Sequence, residues 1–265
     1  MPTTALVVFV IFALSVVMIM SGRGGGNFYV AALVLLGTPM HTASTTSQFI
    51  LLASALSGAL IFGKAKTLSW RLALFFGGLN ASMAFIGGFT AHLFTGVTLK
   101  VALSILLFIA GVAMLLPERG GRKTANPHPG FWNLTEGEDT YVVDLRVAVP
   151  LTLATGFFSG MVGISGGSFL VPLMVVGCGV PVRVAVGTAT AMLAATALAG
   201  FSGNALHGGF SPALAIPAAV AAVVGGILGS KVALKTKPQS LKTISGMLTI
   251  IAAILMLVNA LSGQG

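Results

Sequence analysis

The chain has 265 residues, of which 56% are hydrophobic and only 7% charged, whereas an ordinary soluble domain carries about 25% charged residues. Its formal net charge of +9 would suit a nucleic-acid-binding protein, but all five acidic residues lie between Glu118 and Asp144, so the distribution of charge has another cause. We therefore expect an integral membrane protein that binds a lipid bilayer and no nucleic acid.

Apolar stretches of the length that membrane helices need recur along the chain. The first has no basic residue before it, so we expect a retained helix with an external N-terminus and not a cleaved signal peptide. The stretches cover approximately 5–20, 27–37, 42–62, 69–95 and 98–116, and then 145–162, 167–177, 184–206, 210–232 and 240–261. This pattern predicts a first transmembrane repeat (1–117), a hydrophilic cytoplasmic connector of short irregular structure (118–144) and a second transmembrane repeat (145–265).

The two sets of stretches are related by an internal duplication. A shift of 142 residues pairs Pro39 with Pro181, Gly58 with Gly200 and Lys100 with Lys242, and a shift of 141 places the segment 25–28 on 166–169. Shared Ala and Leu could follow from composition alone, but Pro, Lys and paired Gly in register indicate a duplication. Each repeat then contains an apolar helix, a glycine break and a short second helix, followed by three further apolar segments.

Clusters of Lys and Arg predict the orientation, because short cytoplasmic loops collect these residues. One cluster borders the loop at 63–70 and another surrounds the loop at 232–240, and these loops occupy different positions in the two repeats. If both loops face the cytoplasm, the repeats are inverted, and only Lys100 fits poorly. We predict an all-α integral membrane protein of two inverted repeats, each with a glycine-broken helix pair plus three spanning helices, about eight long transmembrane helices in total.

Inverted repeats with broken helices are typical of secondary transporters, which bind their cargo near the midplane, where the broken helices meet. The chain is therefore not expected to be an enzyme, and no catalytic residue is assigned. Its single cysteine, Cys178, excludes an intramolecular disulfide and supports no metal cluster, so neither a metal nor a cofactor is expected.

The glycine breaks are the first candidate binding elements. A helix that starts after such a break exposes backbone N–H groups and attracts an anion. The alternative is that these glycines only permit close helix packing. The candidate residues are Gly25, Gly26 and Asn27 in the first repeat and Gly166, Gly167 and Ser168 in the second.

A run of polar residues at the start of the third segment is the second candidate. The first repeat offers Thr42, Thr45, Thr46 and Gln48, and the second retains Thr188 and Thr190. Hydroxyl groups in a membrane often bond to their own helix, which is the alternative for each residue taken singly. So many polar positions in one turn and a half predict a side of the helix that does not face lipid. Thr46 and Thr188, equivalent in the duplication, are the preferred pair.

Arg23 lies in the first break and could bind two oxygens of an oxyanion with its forked guanidinium, or it could anchor the helix at the lipid headgroups. Four further residues form a second tier of candidates, since each could either line a cavity or serve the membrane surface and helix contacts. These are His41, Asn80, Arg183 and Asn204.

The absence of acidic residues outside the connector restricts the mechanism, because proton relays and sodium sites in transporters commonly use Asp or Glu within the membrane. Helix starts and hydroxyls suit a small anion, whose export the membrane potential favours. Uptake would need another source of free energy, such as proton co-transport through His41, His92 or His207.

The second break, GMVGISGGSFLVPLMVVGCGVPVRVAVGTATAML, resembles the hallmark of the TauE/SafE sulfite exporter family. In that family a glycine-rich break, a following Pro and a G-V-P-x-x-A-V-G-T run recur in both halves. The first repeat departs from the pattern, with Ala32 at the position equivalent to Pro172 and Thr38-Pro39 in place of the GVP form. The resemblance covers nearly all of the chain except the connector.

The resemblance implies a multi-pass permease of the bacterial inner membrane that exports sulfite, sulfonates or related sulfur-containing anions. Three alternatives remain: a proton-coupled uptake permease, an intramembrane sulfur-relay protein that uses Cys178, and a membrane scaffold without transport. The sequence does not settle whether the protein forms a homo-oligomer.

Overall fold

The computed structural model describes residues 2–20, 22, 24–115, 131–136, 139–164, 166, 170–171, 173–174, 180–207, 209–235 and 238–262. Helices make up most of this part of the chain. Those before the connector are α1 (Pro2–Met20), α2 (Gly26–Leu35), α3 (Met40–Lys64), α4 (Trp70–Thr90), continued by a short 3-10 turn (Ala91–Leu93), and α5 (Gly96–Leu115). Those after it are α6 (Leu145–Val162), α7 (Val182–Ala205), α8 (Pro212–Ala233) and α9 (Pro238–Leu261).

Five of these helices, α3, α4, α6, α7 and α8, are long and apolar enough to cross a membrane. Large apolar side chains stand exposed along their outer sides, as Leu60, Leu74 and Val220 do. Such surfaces are stable against lipid tails, and a helix satisfies its own backbone hydrogen bonds there. The expectation of an all-α, multi-pass membrane protein is confirmed at this level.

The connector contains a β hairpin where irregular structure was expected. Strand β1 (Phe131–Glu136) pairs antiparallel with β2 (Asp139–Asp144), and Trp132 stands opposite Val143. The Trp132 ring lies 5.1 Å from that of Phe75 in α4, and Val143 is buried. Aromatic and β-branched residues favour a strand when one face can pack on a helix. The sequence alone did not reveal that α4 supplies such a surface.

The helices of one repeat pack mainly on helices of the other. In the order of the duplication, α1, α3, α4 and α5 correspond to α6, α7, α8 and α9. The main contacts outside adjacent pairs join α4 with α6, α1 with α8, α4 with α7, α3 with α8, α3 with α7 and α5 with α9. Exchanging the two repeats turns this set of contacts into itself.

Individual residues repeat the same exchange. A Cβ at Gly163, which follows α6, would lie 2.6 Å from the Cα of Ser44, and one at Gly22, which follows α1, would lie 2.8 Å from the Cα of Val186. Gly22 and Gly163 are 141 residues apart, and Ser44 and Val186 are 142 apart. The shifts found in the sequence thus relate contacts between helices as well as residue types.

Helices α3 and α7 run in opposite directions along their contact. Gly58 of α3 packs against Thr190 of α7, while Gly200 of α7 packs against Gln48 of α3. The early part of each helix therefore lies beside the late part of the other. Since α3 and α7 are equivalent in the duplication, equivalent residues come close to one another only near the helix midpoints.

The two ends of the helical bundle differ in charge. The start of α7 lies beside the loop before α4, because the Ser69 N–H donates to the Thr188 hydroxyl over 2.9 Å. It also lies beside the end of α1, and Gly229 near the end of α8 packs on the carbonyl of Val16 in that same helix. Lys100 belongs to the opposite end, at the start of α5. The other described basic residues belong to the first end: Lys64, Lys66, Arg71, Arg146, Arg183, Lys231 and Lys235.

Candidate functional site

Helix α2 begins halfway through the bundle. Gly24 and Gly25 precede it, both with left-handed backbone angles (φ +73° and +74°). A Cβ at Gly24 would lie 2.8 Å from Leu51 Cδ1 and 2.6 Å from Leu193 Cδ1, so only glycine fits there without displacing a side chain. Leu51 and Leu193 are equivalent in the duplication and stand near the midpoints of α3 and α7. The first amide groups of α2 are therefore presented at mid-depth, with Gly26 and Asn27 buried.

The hydroxyl of Tyr29 lies at this helix start. A Cβ at Gly25 would stand 2.8 Å from the Tyr29 hydroxyl oxygen, so the ring folds back on the break one turn before it. Tyr29 is fully buried, and its hydroxyl has no hydrogen-bond partner among the described residues. Ser15 and Ser54 lie beside it. Their own protons are engaged elsewhere, since Ser15 donates to Ala222 O at 2.7 Å and Ser54 to Leu51 O at 3.1 Å.

The second break has a polar cluster too, and it is internally bonded. Asn80 Nδ2 lies 3.5 Å from the position of a Cβ at Gly166. The same amide nitrogen donates to Thr155 Oγ1 at 3.3 Å, and Asn80 Oδ1 accepts from Thr196 Oγ1 at 3.0 Å. Thr155 in turn donates to Thr152 O. Asn80 thus bonds helix α4 to α6 and α7.

The polar run of α3 packs against the end of α6. Gln48 Nε2 donates to Ser159 O at 3.1 Å and to Gly160 O at 3.0 Å, and Ser47 donates to Gly163 O at 2.9 Å. Thr45 Oγ1 bonds to the carbonyl of its own helix at His41. Three buried polar atoms in this run have no partner among the described residues: Ser44 Oγ, Thr46 Oγ1 and Gln48 Oε1. This run therefore retains unused hydrogen-bonding capacity inside the bundle.

The preferred pair, Thr46 and Thr188, is not brought together. The register of α3 against α7 places Thr188 level with residue 60 of α3, roughly 20 Å from Thr46 at 1.5 Å per residue. Thr188 accepts from the Ser69 N–H, while Thr190 Oγ1 donates to Val186 O within its own helix. In the described structure both α7 threonines serve hydrogen bonds of the fold.

The other predicted residues are scattered. Thr42 and His41 are half-buried at the start of α3, and Arg183 is exposed at the start of α7. Asn204 Nδ2 donates to Gly160 O at 2.8 Å and to Gly200 O at 3.0 Å, so it bonds α7 to α6. Four residues singled out from the sequence lie outside the described part of the chain: Arg23, Gly167, Ser168 and Cys178.

A groove of about 150 Å³ opens beside the second break, between α5 and α6. Apart from Thr155 and Gly166 its walls are apolar side chains, among them Leu106, Ile109 and Phe158. Such a lining suits an apolar chain better than an anion.

Reasoning from the sequence missed Tyr29, Ser15 and Ser54. Two signals could have identified them. Tyr29 follows Gly25 by four residues, so the two share a helix face, and Ser54 aligns with Thr196 under the shift of 142, which conserves a hydroxyl. Burial beside the break, which gives these hydroxyls their interest, depends on tertiary packing.

Comparison with known proteins gives consistent results. The protein is similar over 87% of its length to the "Probable membrane transporter protein YunE" of Bacillus subtilis (strain 168), with 25% identity and 88% of that relative covered. It is similar over 95% of its length to the "Probable membrane transporter protein YdhB" of the same organism, with 25% identity and 99% covered. A "Probable membrane transporter protein" of Xylella fastidiosa (strain 9a5c) is 27% identical, with 87% of this chain and 86% of the relative covered. No solved structure matches.

The sequence profile described as "Sulfite exporter TauE/SafE" matches residues 7–256, which include both glycine breaks and all the long helices in whole or large part. The motif-based resemblance is thereby confirmed. With its multi-pass helical structure and its similarity to membrane transporters, the chain belongs to the sulfite exporter TauE/SafE family.

Proposed function

We propose that this membrane transporter exports sulfite or a small organosulfonate, or a related sulfur-containing anion, by alternating access. The observation that carries the proposal is the start of α2 at mid-depth, beside buried hydroxyls that include an unpartnered one. A helix start and hydroxyl donors stabilise negative charge on oxygen. The family name supports a sulfur oxyanion as cargo.

The proposed architecture is a pair of inverted repeats with about eight helices that cross the bilayer, where α1, α5 and α9 join the five long apolar helices. The opposite directions of the equivalent helices α3 and α7 support it, as does the set of contacts that survives exchange of the repeats. We assign the cation-rich end of the bundle to the cytoplasm. The hairpin, which packs on α4 near that end, then belongs to a cytoplasmic connector (118–144).

The charge distribution supports export as the direction. The acidic residues are confined to the connector, so no carboxylate of the membrane helices can couple transport to protons or sodium. Moving one negative charge out of a negative cytoplasm is favoured by about 2.3 kcal/mol per 100 mV. Export then needs no coupling ion.

The proposed cargo path has two parts along α3. The α2 start and its hydroxyls lie level with Leu51, and the polar run with unpartnered Ser44 and Thr46 lies about 10 Å away along α3 at 1.5 Å per residue. Arg23, between α1 and α2 in the sequence, would add a forked positive donor at the break. Repacking at the two breaks would open this path to each side of the membrane in turn.

Flux measurements in proteoliposomes test the proposal. Purified full-length protein is reconstituted with a potassium diffusion potential, negative at the face that corresponds to the cytoplasm, and release of sulfite, sulfoacetate or taurine is followed. We expect saturable movement of at least one of these anions that stops when the potential is abolished. Protein-free liposomes and chloride provide the controls. Absence of saturable flux for all the sulfur compounds would refute the cargo class.

Uptake coupled to protons is the second candidate, and one observation favours it. The rings of His92 and His207 stack 3.7 Å apart at the end of the bundle opposite the cationic one, with Phe89 4.9 Å from His207. Two imidazoles so close can share or exchange a proton, as a coupling site requires. Under this alternative an imposed pH gradient, and not the potential alone, would drive accumulation.

A further inference from the structure

We infer that the Tyr29 hydroxyl is the cargo-recognising donor of this transporter and that it binds an oxygen of a sulfite or sulfonate group at the start of α2. The inference rests on the proposed function and deepens it by naming the residue and the bond. A helix start offers positive potential to any anion. A fixed hydroxyl at the same point adds selectivity for anions with oxygen acceptors.

The state of the Tyr29 hydroxyl is the first reason. It is fully buried against the break, and no partner within the described residues satisfies it. A buried donor without an acceptor loses its hydration free energy and gains nothing in return, and such groups are rare in native structures. They recur at functional sites, where a ligand completes the bond. The O–H can turn about its C–O bond to meet an incoming acceptor.

The second repeat supplies an internal control. The residue equivalent to Tyr29 is Leu170, whose Cδ1 lies 3.6 Å from the position of a Cβ at Gly166, just as the Tyr29 ring packs on Gly25. An apolar side chain is therefore sufficient to fill the space beside a break. The hydroxyl of Tyr29 adds nothing to that packing, so its presence needs another explanation.

The polar groups around the two breaks differ in the same way. At the second break Asn80 bonds to Thr155 and Thr196, so each of its amide atoms has a partner. At the first break the protons of Ser15 and Ser54 point to backbone carbonyls and leave the Tyr29 proton unused. Cargo recognition is thus assigned to the first repeat, and the second break is assigned to structural support.

The neighbouring serines also favour donation by tyrosine. Because both serine protons are already engaged, the serines can offer Tyr29 only lone pairs, and their geometry does not complete a bond. An anionic oxygen is a much stronger acceptor than a serine hydroxyl. Sulfite and sulfonates carry three such oxygens, so one can meet Tyr29 while the others face the first N–H groups of α2.

Replacement of the single hydroxyl tests the inference. Tyr29→Phe and the control Tyr141→Phe, which removes the same group from strand β2 in the connector, are compared with wild type by titration calorimetry against sulfite, sulfoacetate and chloride. We expect Tyr29→Phe to weaken sulfite or sulfoacetate binding about tenfold or more, the equivalent of one hydrogen bond to a charged group. Chloride binding and the melting temperature of the cargo-free protein should not fall. Tyr141→Phe should match wild type.

A second variant guards against a folding defect. Tyr29→Leu copies the residue that fills the equivalent position of the second repeat, and it should fold and lose the same affinity. Unchanged sulfur oxyanion affinity in both variants would overturn the inference while leaving the proposed function intact. Failure of both variants to fold would also overturn it, because the hydroxyl would then be structural. Failure of the wild-type protein to bind or transport any sulfur anion would instead refute the proposed function.

Discussion

The backbone N–H of Ser69 donates to the hydroxyl of Thr188 across 2.9 Å, which ties the loop before α4 to the start of α7. Ser69 also caps α4, since its own hydroxyl accepts from the N–H of Leu72. Thr188 therefore belongs to a structural joint between the two repeats. Its equivalent, Thr46, has a buried hydroxyl without a partner among the described residues. The duplication has thus left two equivalent threonines in different chemical situations.

The Thr188→Val variant should be less stable and should bind cargo normally. Removing the acceptor leaves the buried Ser69 N–H unpaired, which we expect to cost about 1–3 kcal/mol of unfolding free energy. Thermal unfolding in detergent measures this loss. Thr190→Val is the matched control, because its hydroxyl bonds only to its own helix and its removal should be nearly neutral. Weakened anion binding without a loss of stability in Thr188→Val would contradict the structural role.

The Thr46→Val variant should behave in the opposite way. Its hydroxyl makes no bond that folding could lose, so the melting temperature should stay the same or rise. If Thr46 lies on the cargo path, sulfite flux should fall while the protein remains folded. Ser44→Ala provides a second test in the same run. Wild-type flux in both variants would place the cargo path away from the start of α3.

Close packing of helices from different repeats predicts a sharp contrast between two glycines of α4. Gly87 lies directly against the carbonyl of Phe157 in α6, whereas a Cβ at Gly78 would meet open space. Alanine is a better helix former than glycine by roughly 0.5–1 kcal/mol, so Gly78→Ala should be stabilising or neutral. Gly87→Ala must push α4 away from α6, and overpacking of this kind costs about 1–3 kcal/mol or more. Size-exclusion profiles and melting curves of the two variants should therefore differ clearly, and equal stability would contradict the close contact.

Helix boundaries were accessible from the sequence, and the convergence of side chains was not. The predicted stretch at 145–162 coincides with α6, and Pro39 and Pro181 stand immediately before α3 and α7. These features depend on local chain chemistry and on hydropathy. Pairing Thr46 with Thr188 failed to anticipate that equivalent residues on helices of opposite direction meet only near the midpoints, where Leu51 and Leu193 stand. The Tyr29 hydroxyl and the hairpin depend on packing between distant segments.

The histidine stack separates export from coupled uptake. If the potential drives export, replacing His92 and His207 with Gln should leave potential-driven sulfite flux close to wild type, because no proton is carried. A pH gradient alone should then drive no accumulation by the wild-type protein. Reconstituted vesicles with the potential clamped at zero measure the second point. Accumulation driven by the pH gradient in wild type, abolished in His92→Gln and His207→Gln, would establish the coupled uptake alternative and contradict export.

Single-cysteine labelling tests the orientation that the charge distribution predicts. Cys178→Ser supplies a cysteine-free background, and its full activity would also dispose of a sulfur-relay role for that thiol. Lys64→Cys and Lys235→Cys replace exposed residues at the cation-rich end, and Leu93→Cys replaces an exposed residue at the other end. A membrane-impermeant maleimide should label the first two only in inside-out vesicles and the third in intact cells. Because Lys64 follows the third helix of its repeat and Lys235 follows the fourth, repeats of the same orientation would place them on opposite sides of the membrane, and labelling from opposite sides would refute the inverted arrangement.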